Sequence, residues 1–529
     1  MRCNSPIGNA PTARLRSLFT QNQGAAVGKI SIMYSPLRRI SSVFLPCLIL
    51  VAVTVHAQNS FTAVGNDYPI VGALVGDQTK PSLAVGSASG YLAWQDNAAD
   101  GNGLGIRAQR LDGLGNKVGQ LFRVNSTLAG DQENPKVAML ANGGAVFVWQ
   151  GGRQGFQKVY ARFLPATGTN FTAADAMVNT YTNEFQINPD VAVLKDGSVV
   201  VVWASYGQDG YYQGVYGQQL SASGVKVGSE FQVNVQPLNN QRTPSVAALA
   251  SGGFVVAWVS ELQRSQNSVD VFARRYDSSG NPLGGEFPVN TSTVNPCANP
   301  SVAASPDGGF AIAWSQNNNA SATSFASEFT VSGASTKSLS SWDVLARIYN
   351  ANGVAAAAPT RLNTFVYGDQ YAPCIRSFQK SYLAVWQSLG QDGSMEGIYG
   401  QFLNGSSELA GAEFQVNSDN GSRQLNPALA SDGANRFHVV WSSFASSASF
   451  DLFARAYSLI QLSVEQLGNG QVRLTWNSYP GVTYQVQVST NGSGWSNQGS
   501  PRVAAGLTDS IEVGGANGQA GMYRVVRVQ

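Results

Sequence analysis

The chain has 529 residues, 12% of them charged and 43% hydrophobic, with 57 glycines and a formal net charge of +2. Residues 1–57 hold six basic side chains (Arg2, Arg14, Arg16, Lys29, Arg38, Arg39) and no acid, so the rest carries 27 basic and 31 acidic residues, a net of −4. That excludes the basic surface of a nucleic-acid binder and leaves the polar, weakly charged composition of an exported β-protein, long enough for a large core and a second domain.

Residues 1–57 read as a targeting region, with Met33 as the expected start and cleavage after Ala57. Arg38 and Arg39 form its basic flank, Val43 to Val55 is apolar but short for a bilayer, and Val55-His56-Ala57 is a small-x-small cleavage pattern. Cys47 lies inside the apolar run, which argues against lipoprotein processing. No stable membrane span is expected after cleavage, and the expected location is secreted, periplasmic or cell surface. Two cysteines then remain, Cys297 and Cys374; export permits a disulfide, and two buried free thiols fit equally.

Residues 58–459 repeat. Trp94, Trp149, Trp203, Trp258, Trp314, Trp386 and Trp441 follow at steps of 55, 54, 55, 56, 72 and 55, each ending a short apolar run. Pro81, Pro135, Pro189, Pro244, Pro300, Pro373 and Pro427 stand 13 or 14 residues earlier. Each unit offers a P-x-V-A segment, a tight turn such as Asn142-Gly143 or Asp196-Gly197, the Trp strand, a V-Y/F-A/G-R/Q segment and an F-x-V-N segment. Four short antiparallel strands repeated seven times predict an all-β, seven-bladed β-propeller. Asn125, Asn179, Asn234, Asn290, Asn363 and Asn417 lie ten residues before the next proline. A glutamine (Gln78, Gln132, Gln186, Gln241, Gln370, Gln424) lies three before it, with Cys297 the exception. Such regularity implies one environment used repeatedly.

The last repeat has no F-x-V-N strand, and Tyr68-Pro69-Ile70-Val71, at the matching distance before Pro81, is expected to supply it and close the ring. An insertion at roughly 317–340, rich in Ser, Asn and Ala, is read as a rim loop, either a simple connector or a lid. From residue 460 to 529 the pattern changes to alternating segments: Leu462–Glu465, Val472–Trp476, Tyr484–Val488 and Tyr523–Val528. With Trp476, Tyr484 and Tyr523 in the expected places, this stretch resembles a fibronectin type III domain, which implies a small β-sandwich serving as spacer or adhesion module. The stretches Trp203–Gln218 and Trp386–Gln401 resemble bacterial exported propeller repeats of the form W-x-S-x-G-Q-D-G…G-I/V-Y-G-Q. That resemblance implies a secreted or surface binding protein and supplies no catalytic residue.

Chemistry is sparse beyond the repeat. His438 is the only histidine after residue 57 and is read as packed between blades, since a metal or nucleophile system needs partners. Asp96 and Asp100, in the loop Asp96–Gly103, are the candidate calcium ligands, with Asx and Gly turns as the plainer account. No other cofactor is expected. Gln109, Arg162, Gln218, Arg274, Arg347, Gln401 and Arg455 share one position on the third strand and are expected to bridge adjacent blades. Ser305-Pro306-Asp307-Gly308-Gly309 with Trp314 approximates a sialidase Asp-box, with the Trp two residues late, and no opposed carboxylate pair stands out. The expectation is a non-enzymatic binding or adhesion protein, a monomer whose partner is a polysaccharide or a surface protein. The alternatives are a carbohydrate-active propeller enzyme and a structural element of a surface assembly.

Overall fold

The computed structural model describes residues 54–55, 61–166, 171, 173–318, 342–446, 449–467, 471–514 and 522–528. The expected leader, residues 1–57, apart from Thr54–Val55, and nearly all of the 317–340 insertion lie outside the described residues. The described chain is all-β. Six sheets of four antiparallel strands follow in sequence order, the first being Gln78–Val85, Ser89–Asp96, Gly105–Asp112 and Lys117–Arg123. A further sheet, Gln424–Ser431, Arg436–Ser446 and Ser449–Ser458, is completed by residues from the other end of the chain: Thr62–Ala63 and Tyr68–Pro69. Successive sheets pack face to face and the last packs on the first, which is the arrangement of a β-propeller. Tyr68 pairs with Ala454 and Ile70 N donates to Leu452 O at 3.0 Å, so the closure expected from Tyr68-Pro69-Ile70-Val71 is present.

The Trp strands are apolar on both faces because they lie between two neighbouring sheets; Val199–Tyr206 is buried at every position but its last. Seven buried clusters, one at each sheet–sheet interface, contain one repeat Trp apiece; Trp258, for example, joins Val200 and Val202 of the preceding sheet. All seven indoles are at most 1% exposed. Loss of one to Ala is expected to cost about 3–5 kcal/mol.

The innermost strand starts three residues before the proline, at the glutamine or Cys297 (at Asp131, one residue earlier still, in the second sheet), rather than at the proline as the P-x-V-A pattern suggests. It runs through a bulge, with register shifts between Thr79 and Ser82 and at the six equivalent points. The residue before each proline is left-handed: Lys80, Asn134, Asn188, Thr243, Asn299, Ala372 and Asn426 have φ between 49° and 54°. Among residues with a side chain, asparagine is one of the two that tolerate that region most readily, which accounts for its use at four of the seven positions.

The Asn and Gln of the repeat form one latch. Asn234 Oδ1 accepts from Val215 N at 2.8 Å, and its Nδ2 donates to Gln236 O at 2.8 Å and to Gln241 Oε1 at 3.1 Å in the next sheet. Asn125, Asn179, Asn363 and Asn417 repeat this pattern. Where Cys297 replaces the glutamine, Asn290 Nδ2 turns to Asp270 Oδ1 at 2.9 Å. The closing sheet departs from the rule: Val71 stands in the Asn place, and Gln78 Oε1 is buried without a hydrogen-bond partner.

The third-strand position divides in two. Arg162, Arg274, Arg347 and Arg455 donate to Val124 O, Val233 O, Val289 O and Val416 O of the preceding sheet, as expected. The expectation fails for the glutamines: Gln109, Gln218 and Gln401 donate to Val118 O, Val227 O and Gly411 O of their own outer strands. An amide is too short to cross the interface, and it instead fills a bulge where Gly119, Gly228 and Gly411 have φ of 66° to 80°.

After residue 461, a three-stranded sheet (Leu462–Gln466, Gln471–Asn477, Thr508–Gly514) shares one buried cluster with a second sheet. The second contains Thr483–Ser489 and Met522–Arg527, with Thr54–Val55 parallel to the latter. Trp476, Tyr484 and Tyr523 all lie in that cluster. This part touches the closing seam: Arg527 Nη1 donates to Thr62 O at 2.8 Å and Nη2 to Ser458 Oγ, and Arg436 sits 5.2 Å from the Tyr479 ring.

Candidate functional site at the mouth of the axial channel

The seven innermost strands line an axial cavity of about 800 Å³. Its wall is mostly Pro, Val and Ala, as the P-x-V-A pattern requires. Two sets of hydrogen bonds tie neighbouring strands around it. Ser82 Oγ, Asp190 Oδ2, Ser245 Oγ and Ser301 Oγ, each just after its proline, accept from Val137 N, Val246 N, Val302 N and Ile375 N of the next strand. Gln95, Gln150 and Gln387, just after their tryptophans, accept the N–H of Asn134, Asn188 and Asn426 and so hold the left-handed residues in place.

Four charged side chains break this symmetry in the wall: Lys80, Lys136, Arg376 and Asp190. Lys80 takes a place that is Asn in four other strands, and Arg376 a place that is Ala in the other six. Lys80 lies at the mouth and its Nζ donates to Asn134 Oδ1 at 2.7 Å. Much of its surface is open to the channel, yet the packed walls hold its ammonium below the usual lysine pKa, with Lys136 adding to the effect and Glu133 opposing it. Lys136 Nζ is 3.9 Å from Asp190 Oδ1, and Arg376 Nη1 donates to Ile375 O at 2.8 Å. Among the described residues Asp190 is the only carboxylate in the lining, against Lys80, Lys136 and Arg376.

Just outside the mouth the acids are already paired. Glu133 accepts from Gln150, and Glu261 is bonded to Arg242 and Asn240. Glu396 takes two bonds of 2.8 Å from Arg423, which hold its carboxyl below the usual range, while burial raises the Tyr371 hydroxyl beside it.

The residues singled out in the sequence lie elsewhere. Asp96 is fully buried and accepts from the Trp94 indole at 3.1 Å and from Ala98 N at 2.8 Å, with Arg107 at 3.5 Å. Asp100 accepts from Asn102 N and, at 3.2 Å, from the latch Asn125. Among the described residues no three His, Cys, Asp or Glu side chains are grouped to share a metal ion. Cys297 and Cys374 are free thiols, Cys297 buried and held protonated by burial. His438 is 4% exposed at the seam between the last and first sheets, where a Cβ on Gly115 would lie 2.8 Å from its Nδ1. Burial lowers its pKa to about 4; Arg436 adds to this, and Asp432 and Asp112 oppose it. Reading the repeat for regularity missed Lys80, Lys136 and Arg376; the signal was their departure from the residue used at the same place in other repeats.

No family model matches the chain, and no curated protein does. Several solved structures are similar. One is the polysaccharide lyase Uly1 (8% identity, 73% of this chain and 91% of that one, TM-score 0.44). Another is an alpha-L-arabinanase of Penicillium chrysogenum solved with arabinobiose (12%, 66% and 100%, TM-score 0.42). A third is a protein of unknown function from Dyadobacter fermentans (11%, 64% and 97%, TM-score 0.44). Likeness this distant lends the chain no residue and no substrate. The expectation of a non-enzymatic binding or adhesion protein is nevertheless corrected: the lyase and the arabinanase are carbohydrate-active enzymes, which was the alternative.

Proposed function

We propose that the protein is a carbohydrate-active enzyme that cleaves an acidic polysaccharide by β-elimination at the Lys80 end of the channel. We read the seven sheets as a seven-bladed propeller and residues 460–529 as a fibronectin type III-like module, and the leader as directing export to where such polymers occur. The observation that carries the reading is the one-signed break in symmetry: among the described residues, three basic side chains and a single, already paired acid stand in the otherwise repetitive, uncharged wall of a cavity of about 800 Å³. A cavity with a few convergent polar groups is the default site in a fold of this kind. Hydrolysis of a glycoside ordinarily uses two opposed carboxylates, and the lining offers only Asp190. Elimination needs a base for the proton beside the uronate carboxylate and cations for the charge that develops there. Lys80, at the mouth, fits the base in its deprotonated form, which burial favours; Lys136 and Arg376 fit the neutralising role. The proton passes to Lys80 Nζ, the C–H electrons form the ring double bond, and the glycosidic C–O bond breaks, its oxygen taking a proton from water.

The test is incubation with uronate-containing and neutral polysaccharides, following both the ultraviolet absorbance of unsaturated sugar and new reducing ends. Both signals rising together on a uronate polymer are expected, with Lys80→Ala lowering kcat by about 100-fold or more at an unchanged melting midpoint. Reducing ends without absorbance would replace elimination with hydrolysis. No turnover of any polymer would overturn the enzyme reading.

A further inference from the structure

One rung of the fold is aromatic on both strands, where each counterpart carries at least one polar side chain. In six sheets, the residue before the inner-strand glutamine (or Cys297) accepts a backbone bond from the residue three after the Trp. Two of these rungs carry bonded polar pairs, Asp77 with Asn97 and Asn240 with Glu261. In the third sheet the pair is Phe185 and Tyr206, with ring centroids 5.0 Å apart. Tyr212 meets the Tyr206 ring edge-on at 6.3 Å, and Tyr211 and Tyr212 are 50% and 55% exposed. The strip starts at the mouth, since Phe185 is three residues before the channel-lining Asn188. It also borders the second sheet, where Gln186 N donates to Gln157 O beside Phe156, itself 54% exposed.

The turn that carries the two tyrosines is braced. Gly207 N donates to Tyr212 O at 2.6 Å, Tyr211 N donates to Asp209 Oδ1 at 3.2 Å, and Gln232 Nε2 donates to Asp209 Oδ2 at 3.2 Å. Exposed rings on a rigid turn, surrounded by amides and hydroxyls, suit a ligand with apolar faces and hydroxyl edges. An apolar helix or an acyl chain would leave those flanking polar groups unmatched. Continuity with the mouth sets the direction of the ligand.

We propose that Phe185, Tyr206, Tyr211 and Tyr212 form a platform on which sugar rings of a polysaccharide stack as the chain leaves the channel mouth. The proposal rests on the reading of the mouth as the site of cleavage, and it explains how a polymer is retained beyond the one residue being cut.

The experiment uses the full chain. Migration in native gels cast with each polysaccharide measures retention, and kinetics on a long polymer and a short oligosaccharide measure turnover. Tyr211→Ala/Tyr212→Ala is expected to weaken retention and raise KM on the polymer by about tenfold, the loss of two ring contacts, with kcat and oligosaccharide turnover unchanged. Tyr212→Phe should keep most of the retention. Lys80→Ala should lose turnover and keep retention. Unaltered retention and polymer KM in the double variant would overturn the platform. Retention lost in that variant, in a protein that cleaves nothing, would uphold the platform and sink only the enzyme reading.

Discussion

The regular sheets and the closing sheet solve one problem with different chemistry. In a regular interface the Asn latch satisfies a buried N–H, a carbonyl and a glutamine across the joint, as Asn234 does for Val215 N, Gln236 O and Gln241 Oε1. At the seam the latch is missing, and Ile70 and Val71 instead enter an apolar cluster with Trp94, Val440 and Leu452. Other ties substitute for it. Phe450 N donates to Asp77 across the seam, and Arg527 binds both Thr62 and Ser458 of the closing sheet. A hydrogen-bonded latch sets register between strands that arrive already adjacent. A seam assembled from distant segments relies on burial, which tolerates approach from several directions.

Four measurements break or sharpen this comparison. Deleting residues 58–72 removes both closing strands and exposes the edge at Ser449–Ser458; we expect loss of cooperative thermal unfolding, and a melt like that of the full chain would refute closure. Next in size is the seam histidine. With a folded pKa of about 4 against 6.5 unfolded, His438 stays neutral while the unfolded chain takes up a proton. Its contribution is therefore complete above pH 6.5 and falls by roughly 3 kcal/mol as the pH drops to about 4. Chemical denaturation across that window should show the slope, and His438→Gln should flatten it. Asn234→Val leaves Val215 N and Gln241 Oε1 unpaired and should cost about 3 kcal/mol in the same assay. The reciprocal Val71→Asn exchanges apolar burial for a donor to Gln78 Oε1 and should stay within about 1 kcal/mol of the parent. Equal losses in these two variants would remove the distinction between the joints.

Much of this architecture was legible because the repeat fixes which face each residue meets. Trp94 and its equivalents, the turn pairs, and Tyr68–Val71 follow from spacing and period alone. The Asn and Gln of the latch were visible as a pattern, but their partnership joins the end of one sheet to the start of the next, which one repeat on its own does not display. The third-strand arginines and glutamines looked equivalent, and only side-chain length separates those that reach the neighbouring sheet from those that do not. The left-handed residue before each proline was hidden because such a dipeptide ordinarily reads as extended. The site was the least legible part. Lys80 and Arg376 are single departures from a repeat, and Phe185 and Tyr206 lie 21 residues apart in the chain.

The pairing of Thr62 with Ser458 also sets a timetable. The ring cannot shut until about 390 residues of chain lie between those strands, and bringing them together carries the entropy of a very long loop. Six sheets can form in order as the chain emerges, each resting on the one before. The earliest strands must wait unpaired for the latest, and Arg527 adds its bond to Thr62 only when the 465 positions separating them have been made. Closure is therefore the slow, final step of folding, and an incomplete chain holds an open stack with two bare edges, the form most prone to associate with its own copies.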